Sequence, residues 1–99
     1  MIKARFFEEE QRLTGFEISG HSMFSESGSD IVCSAVSSAA IMAANTITEI
    51  FSEQADIKLD EGYLYFKGAK SEAAQGIVKG LKLHLEELQE QYPKNITVS

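Results

Sequence analysis

The chain has no tryptophan, one proline and one cysteine. A single thiol cannot close an internal disulfide, so cystine plays no part in this fold, and a free thiol suits a reducing, cytoplasmic setting. Cations are scarce: nine Lys and Arg stand against fifteen Asp and Glu, for a formal net charge of −6. Phosphate binding needs clustered Lys and Arg, so direct nucleic-acid binding is not expected, whereas an acidic surface steers basic partners. No run of apolar residues reads as long enough to span a bilayer, and MIKARFFEEE at the start carries no apolar signal core. Neither GxGxxG nor GxxxxGK occurs. One cysteine and two distant histidines lack metal-ligand spacing, so no metal and no cofactor are expected.

What remains is an ordinary folded composition. Ninety-nine residues, 43% hydrophobic and 24% charged, make one domain spanning 1–99 with one modest core. Ile2, Ala4 and Phe6 alternate with Lys3, Arg5 and Phe7, the period of a half-buried strand over 2–8. The charged run Glu8–Arg12 reads as a turn, and Leu13 to His21 as the returning strand, with Phe16 and Ile18 on one face. A polar loop over Ser22–Ser29 comes next, bracketed by Gly20 and Gly28.

A helix is expected from about Ile31 to Ser52, capped by Ser29 or Asp30, with Val32, Val36, Ala39, Ala43, Ile47, Ile50 and Phe51 as its apolar stripe. ADIKL and YLYFK flank Asp60-Glu61-Gly62, a hairpin signal. A second helix runs from a Ser71 cap to about Tyr92, with Ala74, Ile77, Val78, Leu81, Leu85 and Leu88 inward and Pro93 as its stop. Asn95 to Ser99 make a last short strand. The order β-β-α-β-β-α-β predicts an α+β fold, a mostly antiparallel sheet with two packed helices.

Chemistry concentrates in Gly20–Ser38. Cys33 falls in the expected first helical turn, where the helix dipole favours thiolate over thiol. His21 stands at the far lip of the loop, placed to act as base toward it. Asp30 caps the helix or orients His21. Ser37, four residues beyond Cys33, shares its face, and Met23 and Phe24 on the loop offer apolar contact to a peptide. The alternative for Cys33 is a small apolar residue packed among Ile31, Val32, Ala35 and Val36. His84 reads as a surface residue of the second helix.

The pairing of Gly20-His21 with SDIVCSAVS over 29–37 resembles the ribosomal-processing cysteine protease Prp family, also grouped as YsxB-like proteins. The resemblance extends to the start of the chain, the two-helix layout and the length. It implies that His21 is the base and Cys33 the nucleophile, with the family's Asp falling on Asp30. It further implies a cytoplasmic, homodimeric, cofactor-free endopeptidase. Its substrate would be the precursor of large-subunit ribosomal protein twenty-seven, cut after a pair of Phe in an N-terminal extension. Two other readings stand beside it. One is a non-enzymatic, ribosome-associated protein-binding module with Cys33 buried. The other is a thiol transferase or redox protein, which lacks a second Cys to resolve a disulfide.

Overall fold

The computed structural model describes residues 1–20 and 27–99, the first four residues of the first helix by their backbone alone. The elements are β1 (Ile2–Glu9), β2 (Arg12–Ser19), α1 (Ser27–Asn45), β3 (Asp56–Asp60), β4 (Tyr63–Lys67), α2 (Glu72–Gln91) and β5 (Ile96–Val98), with a π-helical turn over Thr46–Ile50 continuing α1. The expected order β-β-α-β-β-α-β is the observed one. The strands form one sheet in the order β3-β4-β2-β1-β5. All pairs are antiparallel except β1 with β5, which run parallel.

Alternation along the strands builds the core. Ile2, Ala4 and Phe6 of β1, Phe16 and Ile18 of β2, and Leu64 and Phe66 of β4 are buried on one sheet face. Phe16 stacks on Phe66 with ring centroids 5.3 Å apart. The helices cover this face with Val32, Val36, Ala40, Ala43 and Ile47 from the α1 side and Ala74, Val78, Leu81 and Leu85 from α2. The other face carries polar pairs, among them Arg5 against Glu17 at 3.1 Å and the Tyr63 hydroxyl donating to Glu17 at 2.6 Å. Ser71 caps α2 as expected, accepting from the Ala74 amide at 3.0 Å.

Several boundaries differ from the sequence expectation, each for a physical reason. The β1–β2 turn shrinks to Glu10 and Gln11, both at positive φ, the twist a tight two-residue hairpin demands. The first helix begins at Ser27, so Ser29 and Asp30 lie inside it and neither is its N-cap. SESGSD has no apolar periodicity and poor helix formers, so nothing in those letters marks a helical start. At the other end, regular α geometry stops at Asn45 and the chain widens into the π turn. One extra residue per turn rotates the residues beyond it, so Ile50 and Phe51 leave the apolar stripe and are exposed. The stretch Ile31–Ile50 is, by length and mean hydropathy of 1.6, apolar enough to cross a membrane, contrary to the sequence expectation. Its Val32, Val36, Ala40 and Ile47 are wholly buried against the sheet, as in the core helix of a globular domain.

Candidate active site

Cys33 is the seventh residue of α1, in its second turn rather than the expected first. Cys33 is half-buried, at the border of the apolar cluster, while Val32 beside it is fully buried. The helix turns Val32 into the core and leaves Cys33 packed against its border without being fully buried.

Helical spacing identifies the flank. At about 3.6 residues per turn, Cys33, Ser37 and Ala44 fall to one side of the buried stripe, and Ala39 and Met42 to the other. Ala39, Met42 and Ala43 line a groove of about 360 Å³ shared with Ile77, Leu81 and His84 of α2. The Cys33 flank therefore faces away from α2. Since α2 lies against β2 and β5, that flank looks toward β4 and the edge strand β3. Ser37 is half-buried one turn beyond Cys33 on the same side, as its spacing predicted. His84 is exposed in the groove across α1 from the thiol, which removes it as a partner.

The approach to the site is built by Gly20. Its φ is +90°, and a Cβ there would stand 2.3 Å from the Met1 carbonyl oxygen. Only glycine fits both the left-handed backbone and the contact. Its amide donates to the Gly62 carbonyl at 3.2 Å, tying the end of β2 to the β3–β4 turn. The chain thus leaves the sheet at a fixed point immediately before His21. His21, Met23 and Phe24, and residues 22–26 of the expected loop, lie outside the described residues. Asp30 is placed by its backbone in the first turn of α1, three residues before Cys33. Among the described residues, no cluster of His, Cys, Asp and Glu is arranged to hold a metal ion.

The described residues make a small α+β domain with one partly buried thiol on a helix flank. The family model for cysteine protease Prp matches residues 1–97, and the chain belongs to that family. It is 32% identical over 95 residues to the ribosomal processing cysteine protease Prp of Bacillus subtilis, an alignment covering 88% of this chain and 85% of that one. It superposes with a TM-score of 0.90 on the Staphylococcus aureus ribosomal processing protease Prp solved with a substrate peptide, at 27% identity, covering 100% of this chain and 98% of that one. The same S. aureus enzyme solved with a covalently linked product peptide matches at a TM-score of 0.87 and 28% identity, with the same coverage of both chains. Enzymatic activity as a cysteine protease follows from the family.

Proposed function

We propose that this chain, acting as one domain over residues 1–99, is a cytoplasmic endopeptidase. It removes the N-terminal extension from the precursor of large-subunit ribosomal protein twenty-seven during ribosome biogenesis. Cys33 is the nucleophile and His21 the base. The observation that carries the reading is the partly buried Cys33 on the α1 flank, in the SDIVCSAVS run that the family resemblance marks. The S. aureus relative with a covalently linked product peptide supports covalent chemistry at this thiol.

His21 takes the Cys33 proton, and the thiolate sulfur attacks the carbonyl carbon of the scissile bond. The imidazolium returns the proton to the departing amine as the C–N bond breaks, leaving a thioester on Cys33. Water, deprotonated by His21, then attacks the thioester and releases the acid and the thiol. Asp30 orients His21, and Met23, Phe24 and Ser37 contact the peptide. The enzyme works as a homodimer without metal or cofactor and without direct contact to nucleic acid. Its acidic balance of −6 complements so basic a substrate.

Incubating the precursor with wild-type protein, Cys33→Ala and His21→Ala, and reading its N-terminus by mass spectrometry, tests this. Shortening by the wild type alone is expected. An unprocessed precursor with active wild-type protein, or processing by Cys33→Ala, would overturn it.

A further inference from the structure

We infer that the free edge of β3 takes the substrate as an added, extended strand beside Cys33, through the outward backbone groups of Ile57 and Leu59. This rests on the peptidase reading of Cys33 and names how that site holds its peptide. Among the described residues, β3 is the terminal strand of the sheet and pairs only with β4. The ladder determines which backbone groups it leaves free. The Gly20 amide bonds the Gly62 carbonyl, and the Gly68 amide bonds the Thr14 carbonyl at 3.0 Å. Even-numbered residues of this segment therefore bond toward β2, and Tyr63, Tyr65 and Lys67 bond toward β3. Their partners Asp60, Lys58 and Asp56 are consumed by those bonds. The amides and carbonyls of Ile57 and Leu59 point to the open edge.

The side chains of the same two residues make the edge selective. Ile57 and Leu59 pair with buried Phe66 and Leu64, so they lie on the helix-covered face. Yet they are 47% and 71% exposed, because the helix layer does not reach over β3. An exposed apolar edge strand invites another strand. Acidic residues flank this one, Asp56, Asp60 and Glu61, all exposed. The fitting occupant is an extended, apolar peptide segment bordered by Lys or Arg.

The edge also leads to the thiol. Thr48, Ala55 and Asp56 line one cleft, so the far end of the helix flank meets the start of β3. From that cleft the helix flank runs back through Ser37 to Cys33, so a peptide paired along Ile57 and Leu59 lies on the thiol's side of the helix.

Single backbone N-methylation along a short peptide spanning the processed bond tests this with unmodified protein, measuring cleavage. Loss is expected at alternate residues of the paired segment, because only every second amide meets the edge. Ile57→Pro deletes one outward amide and no bond to β4, and is expected to raise KM about five- to tenfold, the worth of one backbone hydrogen bond. Normal cleavage of every N-methyl peptide, or loss without alternation, would overturn the inference, as would an unchanged KM in Ile57→Pro. A change from dimer to monomer in Ile57→Pro with KM unchanged would assign the edge to a second copy and overturn it too. Failure of the peptidase reading is separate: the unmodified peptide would then not be cleaved at all.

Discussion

Val32 and Cys33 are consecutive on α1 and differ in burial, Val32 wholly buried against the sheet and Cys33 only partly buried on the flank. The helix thereby places the thiol at the border of the core rather than inside it. In the native protein, iodoacetamide at neutral pH is expected to label Cys33 without denaturant. A requirement for denaturant would return Cys33 to the core.

Gly20 sets where the chain leaves the sheet for His21. Gly20→Ala forces a Cβ against the Met1 carbonyl and strains a left-handed backbone. A loss of about 1–3 kcal/mol in denaturant unfolding is expected, with reduced cleavage by the remaining folded protein. Wild-type stability in this variant would show that the β2 end is free to shift.

The α2 N-cap is tied to the segment that follows the π turn. Ser71 donates its hydroxyl to Glu53 and accepts from the Ala74 amide, and the Ser71 amide also donates to Glu53 at 3.4 Å. The Ser71 hydroxyl bond, opposed in part by desolvation, holds the Glu53 carboxyl below its ordinary range. A lowered folded value means this stabilisation is complete above about pH 4.5 and fades as the pH falls through the folded value. Thermal unfolding should show Glu53→Gln flattening that acid limb, and Ser71→Ala costing about 1 kcal/mol at neutral pH. An acid limb identical to wild type in Glu53→Gln would contradict the link.

The sequence shows the strands and α2 plainly, because period-two alternation and the Leu81, Leu85, Leu88 stripe are strong signals, and because Ser71 and Pro93 bound the helix. The start of α1 is illegible in SESGSD, and the π turn at Thr46–Ile50 has no letter pattern of its own. Strand order is likewise hidden: ADIKL reads as half-buried, and only its place at the sheet edge leaves Ile57 and Leu59 uncovered. At the site, Cys33 and Ser37 are readable from spacing, since a shared flank needs only helical periodicity. The steric demand on Gly20 is not, because its neighbour Met1 lies nineteen positions away across the β1–β2 pair.

The two histidines separate the proposed base from a bystander. His84 lies across α1 from Cys33, so His84→Ala should leave cleavage unchanged. His21→Ala should lower it by about 10²-fold or more. The wild-type pH–rate profile is expected to be bell-shaped, its limbs reporting the coupled Cys–His pair rather than either residue. Equal loss in both variants would point to a different base.

The most direct test of the central claim is the covalent intermediate. Wild-type protein mixed with excess substrate peptide and quenched in acid, which preserves a thioester, is read by intact mass and fragment mapping. The account predicts added mass equal to the N-terminal peptide fragment less water, located on Cys33 and absent in Cys33→Ala. Cleaved peptide with the added mass on another residue, or cleavage by Cys33→Ala at the wild-type rate, would contradict it.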